Sequence, residues 1–208
     1  MFREISRIVS GQDGSSVAGK IDYDFFALEK KSKSLMQVFG ALEVDMRQSD
    51  LQWEVRDYIK THPEAAVINL GCGLDNTGRV CDNGRCQIYN IDLPDVIELR
   101  NRFLPAGERE KNLALDLTAF HWMKAIDADP AKGTVLFAAG VFYYFQTEAP
   151  RKLFPAMAER FPGGRLVFDG AGPAAVKPIH RLLAWVADNW LKLQIVRLDF
   201  ARPENQAQ

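Results

Sequence analysis

Long apolar runs are missing from this chain. None approaches the roughly 18 residues that a membrane-spanning helix needs. The opening residues, Met1-Phe2-Arg3-Glu4, lack the hydrophobic stretch of a secretory leader, so the expectation is a cytoplasmic chain with no membrane partner. Cysteine is scarce. Cys72, Cys81 and Cys86 are too few, and odd in number, for a disulfide framework. The Cys81–Cys86 spacing fits no common zinc pattern, which leaves reduced thiols and no metal. Charge of one sign is also lacking: 26 Lys and Arg stand against 27 Asp and Glu, a net charge of −1. A dedicated nucleic-acid binder carries a basic excess, so nucleic acid is not an expected partner. What is present is enough to fold. The 208 residues are 47% hydrophobic and include 13 Phe and 4 Trp, which suits one globular domain spanning 1–208 with one substantial core.

Residues 1–24 are polar and rich in Gly and Ser, as at Gly11, Gly14, Ser15, Ser16 and Gly19, and read as a loose segment. Leu35, Met36, Phe39 and Leu42 recur at helical spacing. Ser49 followed by Gln52 has the form of a capping box, which predicts a new helix carrying Leu51, Val55, Tyr58 and Ile59 on one face. His62-Pro63 ends it. Strands and helices then alternate. Strands are expected at 66–70, 87–91, 112–115, 134–139, 165–168 and 193–200. Helices are expected from Pro94 (with Val96, Leu99, Phe103 and Leu104 on one face), from Glu148 to Phe161, and from Ala174 to Leu191. This rhythm predicts an α/β, Rossmann-like, mostly parallel sheet with helices on both faces.

In such a sheet, ligands bind beyond the carboxyl ends of the strands. After the first expected strand comes Gly71-Cys72-Gly73-Leu74-Asp75, a turn in which glycine lets backbone approach a ligand. The same G-x-G also serves as plain punctuation. Asn76 stands where a dinucleotide fingerprint has its third glycine, which disfavours a nicotinamide enzyme. Asp92 follows the second strand, 19 residues beyond Gly73. It reads either as a ribose ligand or as the cap of the helix from Pro94. Asp116-Leu117 follows the third strand and reads either as an adenine frame or as a cap for a helix from Thr118. After the fourth come Ala139-Gly140-Val141 and the aromatics Phe142, Tyr143, Tyr144 and Phe145, which either join the core or wall a pocket. Asp169-Gly170, after the fifth, caps or lines the rim. A glycine turn and two carboxylates after successive strands suit an adenosine-bearing cofactor with no pyrophosphate, and S-adenosylmethionine is such a molecule.

These residues resemble the leucine carboxyl methyltransferase superfamily, and within it the tetracenomycin polyketide synthesis O-methyltransferase-like branch. The carrying stretches are Val67–Asp75, Asp82-Asn83-Gly84, Ile91–Arg100, Phe137–Phe145 and Arg160–Asp169, with Ile21–Phe25 similar to the family's N-terminal helical part. The resemblance implies a helical part over 1–62 and a cofactor-binding sheet over 63–208. It implies S-adenosylmethionine as methyl donor, leaving as S-adenosylhomocysteine, and a site of Arg47, Gly71, Cys72, Gly73, Asp75, Asp92, Leu93, Asp116, Leu117, Ala139 and Gly140. Gly71 and Gly73 pass under the cofactor, Asp92 holds the ribose, and Asp116 and Leu117 frame the adenine. Arg47 matches an arginine that partners the cofactor's carboxylate, a bidentate pairing suited to guanidinium; from the residues alone it reads as a solvated helix position. Asn76-Thr77 replaces the family's Thr-Arg. Ala139 stands where the carboxyl-methylating branch has Glu, which points to small-molecule acceptors. After Lys177 the pattern departs, the sheet is expected to be truncated at its C-terminal edge, and a homodimer is the arrangement that would cover it.

The expected activity is O-methylation of the hydroxyl or carboxyl of a small apolar or aromatic acceptor. Positioning alone lowers such a barrier by about 7–11 kcal/mol, so no base is obligatory. Tyr143, Tyr144 and His180 are candidates if one is used, whereas His62 and His121 read as helix-end or surface residues. The alternatives are a cofactor-binding pseudoenzyme and an interaction module of the same fold.

Overall fold

A computed structural model of the protein describes residues 35–146, 148–171 and 193–202. The chain divides into two compact units, Met1–Leu42 and Glu43–Gln208. The second carries the sheet and the cavity. The expected loose segment 1–24, the stretch Ile21–Phe25, the helix over 174–191 and His180 lie outside the described residues.

The elements run α1 (Leu35–Thr61), β1 (Ala66–Leu70), α2 (Thr77–Val80), β2 (Gln87–Asp92), α3 (Pro94–Phe103), β3 (Glu110–Ala114), a 3-10 turn at Phe120–Ala125, β4 (Thr134–Ala138), a 3-10 turn at Phe142–Tyr144, α4 (Glu148–Arg160), β5 (Arg165–Ala171) and β6 (Leu193–Asp199). The sheet order is β3-β2-β1-β4-β5-β6. Five strands are parallel and β6 runs antiparallel to β5. Ala66 pairs with Gln87 on one side and with Thr134 on the other, so β1, β2 and β4 end level. Strand order reverses beside β1, between β1 and β4, where sheets of this order hold ligands.

Alternation along each strand separates two cores. Ile68, Leu70, Tyr89, Ile91, Leu136 and Leu166 pack with Trp122, Met157 and Phe161. Val67, Ile88, Val135, Phe137 and Val167 pack with Leu51, Val55, Tyr58 and Ile59 of α1. Burial on both faces is why β1 and β4 read as mainly apolar runs, with Asn69 in β1 and Thr134 in β4 as their only polar residues.

The structure corrects three sequence expectations. No helix starts at Ser49: α1 runs unbroken from Leu35 to Thr61, with Ser49 on its exposed side, where its hydroxyl is not needed as a cap. The helix expected from Thr118 is a 3-10 turn at Phe120–Ala125. The deepest residues of α3 are Ile97 and Arg100, while Val96, Leu99 and Phe103 are half-buried. Arg100 tolerates burial because its guanidinium donates to the carbonyls of Gly73 (2.9 Å) and Asp75 (2.7 Å) and to Asn112 Oδ1 (3.1 Å).

Polar side chains tie α1 to the sheet. Arg165 at the start of β5 reaches Glu54 (3.1 Å) and Asp57 (3.0 Å) of α1 and Asp199 (2.8 Å) of β6. Tyr58 accepts from the Thr134 N–H (3.1 Å) and donates to the Gly163 carbonyl (3.0 Å), and burial raises its pKa, so the hydroxyl keeps its proton. Tyr58→Phe leaves the buried Thr134 N–H without its acceptor. Denaturant unfolding is expected to show a loss of about 1–3 kcal/mol. An unchanged midpoint would refute that role.

Glu110, at the start of β3, supplies a pH-dependent tie. Burial works against its charge, yet hydrogen bonds from Arg79 and from the Gly107 N–H overcome this and hold its carboxyl below the usual glutamate range. A depressed folded pKa stabilises above the unfolded value and is lost as pH falls through the folded one. Glu110→Gln is therefore expected to be less stable than the native chain at pH 7. The gap should close as pH drops from about 4.3, the ordinary glutamate value, toward the lowered one. Melting curves over that range read it directly; a gap independent of pH would assign the effect to packing.

Candidate functional site

A cavity of about 600 Å³ opens beyond the carboxyl ends of β1 to β4. That is within the size range of small-molecule sites. Each strand contributes residues at or just past its end: Gly71 after β1, Asp92 and Leu93 at the end of β2, Leu115 to Thr118 after β3, and Ala139, Gly140 and Val141 after β4. Tyr144, Phe145, Gln146 and Ala149 close the far side.

The floor depends on glycine. Gly71 has φ +60°, and a Cβ there would meet Val141 Cγ2 at 2.6 Å. Gly73 has φ +46°, but open space surrounds its missing Cβ. Gly71 is thus required by conformation and by fit, and Gly73 by conformation alone. Asp92 fastens the turn from the front: its Oδ2 accepts from the Gly73 N–H and its Oδ1 from the Leu93 N–H, both at 2.8 Å. The N-cap of α3 is Leu93, without a side-chain cap, so Asp92 is not that helix's cap. A carboxylate has about four lone-pair sites, and these two bonds leave one on each oxygen for a diol.

Asp75 serves the turn from behind. It accepts from Asn69 (2.8 Å), from the Thr77 N–H (3.1 Å) and hydroxyl (2.9 Å), and from Gln48 of α1. It does not line the cavity, nor do Gly73 and Cys72. The Cys72 thiol is buried, and burial pushes its pKa up to about 12, which makes it an inert packing group.

Asp116 folds back on its own loop. Its Oδ1 accepts from the Thr118 N–H and hydroxyl, both at 2.8 Å, and these bonds hold its carboxyl below the usual aspartate range. Leu117 is buried and presents an apolar wall beside it. The aromatics divide. Phe142 packs edge-on against Phe154 and Phe168 (both 5.1 Å) and joins the core, whereas Tyr144, 88% exposed, and Phe145 line the cavity. Tyr143 is exposed and does not line it. His62 stacks on Tyr58 at the end of α1, and His121 is exposed.

Arg47 of α1 does not itself line the cavity but lies behind Gly140, which does: a Cβ on that glycine would sit 3.5 Å from Arg47 Nη1. The guanidinium donates to Asp169 Oδ2 at 3.0 Å, and its Nε is buried with no acceptor among the described residues. Sequence reasoning missed Arg100 and Gln48 as supports of the turn. A lone cation among the apolar positions of an amphipathic helix was the available sign for Arg100; Gln48 offers none.

The sheet order and the cavity at its switch point define a Rossmann-like α/β class. The chain belongs to the leucine carboxyl methyltransferase family, which matches residues 28–158. The tetracenomycin polyketide synthesis O-methyltransferase TcmP of Streptomyces glaucescens is 27% identical over 156 residues, covering 74% of this chain and 54% of that one. A putative S-adenosyl-L-methionine-dependent methyltransferase of Mycobacteroides abscessus is 31% identical, covering 68% and 50%. The chain therefore spans about half the length of these curated relatives. Among solved structures, the N-methyltransferase NodS of Bradyrhizobium japonicum shares the fold, with a TM-score of 0.51 at 15% identity over 76% of this chain and 96% of that one. S-adenosylmethionine is the cofactor of this family. The residues present fit it: a glycine floor, a carboxylate with acceptor capacity left over, an apolar wall, and a buried arginine N–H without an acceptor.

Gly71→Ala is expected to lower the unfolding free energy by about 1–3 kcal/mol through its left-handed backbone, with the Val141 clash added. Gly73→Ala should cost less, and Val141→Ala should restore part of the Gly71→Ala loss. Equal losses at the two glycines would show that the clash does not matter.

Proposed function

We propose that this cavity binds S-adenosylmethionine and that the chain methylates an oxygen, hydroxyl or carboxyl, of a small apolar or aromatic acceptor. The supporting observation is the Asp92 carboxylate, anchored by the Gly73 and Leu93 amides at the switch point with one acceptor position per oxygen to spare. When bound, the cofactor supplies a methyl group on a cationic sulfonium.

The residues divide the work. Asp92 accepts the two ribose hydroxyls. Asp116 and Leu117 border the adenine, one polar and one apolar. The Gly71 backbone gives close passage toward Arg47, whose guanidinium takes the carboxylate of the amino-acid end. Tyr144 and Phe145 form the apolar side on which an aromatic acceptor packs. Among the described lining residues only Asp92, Asp116 and Tyr144 are ionisable. Asp92 and Asp116 are engaged elsewhere and Tyr144 is largely exposed to solvent, so catalysis rests mainly on holding the acceptor oxygen in line and excluding water. Acceptance by oxygen is favoured by the O-methyltransferase of Streptomyces glaucescens, and Ala139, in place of a glutamate, favours a small molecule over a protein terminus.

Calorimetric titration with S-adenosylmethionine and S-adenosylhomocysteine tests the cofactor site. Micromolar binding is expected, with Asp92→Asn weakening it by about tenfold or more, the size of a lost charge-assisted hydrogen bond. A folded protein that binds neither compound would falsify the proposal. With binding in hand, methyl transfer from labelled cofactor to phenolic and carboxylic aromatics reads the acceptor; transfer confined to amines would overturn the oxygen assignment.

A further inference from the structure

Asp169 lies within β5, beside Ile195 of β6, and is 1% exposed. Its two oxygens go to different places. Oδ1 accepts from the Gly140 N–H at 2.7 Å, and Oδ2 accepts from Arg47 Nη1 at 3.0 Å. It thereby joins three elements at one point: the loop after β4 that lines the cavity, β5 itself, and α1. Arg47 is mostly buried, and its Nε–H has no acceptor among the described residues. A guanidinium is a planar fork of five donors with no acceptor of its own. With Nη1 given to Asp169, the edge formed by Nε and Nη2 remains, and that edge takes a carboxylate through two parallel hydrogen bonds.

We propose that Asp169 is a positioning residue that selects ligands carrying an amino-acid carboxylate. It holds the Arg47 guanidinium behind the wall formed by Gly140, where its remaining Nε edge would pair with the carboxylate of the ligand. This rests on the reading of the cavity as an S-adenosyl site. Without Asp169, Arg47 is a long side chain with several rotamers and a strong preference for water. With it, one oxygen fixes the guanidinium and the other fixes the backbone of the cavity wall, so the two parts of the site stay in register. Asparagine keeps an acceptor for the Gly140 amide but turns N–H donors toward the guanidinium, which severs the second link and spares the first.

The test separates the two ends of the ligand. S-adenosylhomocysteine carries the amino-acid carboxylate; 5′-methylthioadenosine carries the adenosine without it. Both are titrated into the native chain, Asp169→Asn, Arg47→Met and the double variant. Asp169→Asn is expected to weaken S-adenosylhomocysteine by about tenfold or more while leaving 5′-methylthioadenosine within about twofold. The double variant should bind S-adenosylhomocysteine no more weakly than Arg47→Met alone, because Asp169 acts through Arg47. Equal weakening of both ligands, no weakening of either, or additive losses in the double variant overturns the assignment. Should Asp169→Asn fail to fold, Asp169→Glu keeps the charge and displaces the guanidinium, and the same selective loss is required of it. A native chain that binds neither compound overturns the cavity reading itself, whereas normal native binding with an indifferent Asp169→Asn overturns the role of Asp169 alone.

Discussion

The turn that leaves β1 carries left-handed backbone at Gly71 and Gly73, and such a turn keeps its shape only if its polar groups are held. Here they are held from three sides. Arg100 takes the carbonyls of Gly73 and Asp75, Asp92 takes the Gly73 amide, and the Cys72 amide bonds to the Ile91 carbonyl at 3.0 Å. Asp75 completes the arrangement through Asn69, Thr77 and Gln48. Most of these groups are backbone or short side chains on rigid elements, so the floor of the cavity is set before any ligand arrives. Preformed geometry spares a ligand the cost of ordering it.

The sheet supplies the remaining precision. β1, β2 and β4 share a register that brings Leu70, Ile91 and Ala138 level. The next residues of each strand therefore emerge at one height, and Gly71, Asp92 and Ala139 become neighbours although far apart in sequence. Both faces of these strands are packed, so a slip in register would turn apolar side chains to the wrong core. The same burial that stabilises the fold thus fixes the distances of the site.

Much of this was legible in the residues, and the features that were not share a common cause. β1 and β4 show as apolar runs because burial on both faces leaves no polar alternation. α3 begins at Pro94 and α4 stops before Pro162-Gly163, where backbone preference is strong. Gly71, Asp92, Leu93, Asp116, Leu117, Ala139 and Gly140 could be read from the strand ends, since ligands in such sheets sit there, while Arg47, Cys72, Gly73 and Asp75 fall outside the lining. Three features escaped: the continuity of α1 through Ser49, the burial of Arg100, and the pair Arg47–Asp169. The last two are settled by partners far along the chain, as far as 122 residues for Arg47 and Asp169. Periodicity and local propensity report on neighbours a few residues apart, so a pairing of single polar groups across the fold leaves no pattern in the sequence.

The charges around the cavity follow from these pairings. Arg47 and Asp169 largely cancel each other, which leaves Asp92 and Asp116 as the uncompensated charges among the lining residues. A cavity with low-dielectric walls and two carboxylates carries a negative potential that favours a cationic ligand over a neutral or anionic one. A sulfonium is such a cation, and loss of its methyl group removes the charge. On the proposed reading, the carboxylates assigned to the ribose (Asp92) and to the adenine edge (Asp116) would therefore distinguish the charged donor from its neutral product. That discrimination would need no base, because it would lie in the field of the site and not in a proton transfer.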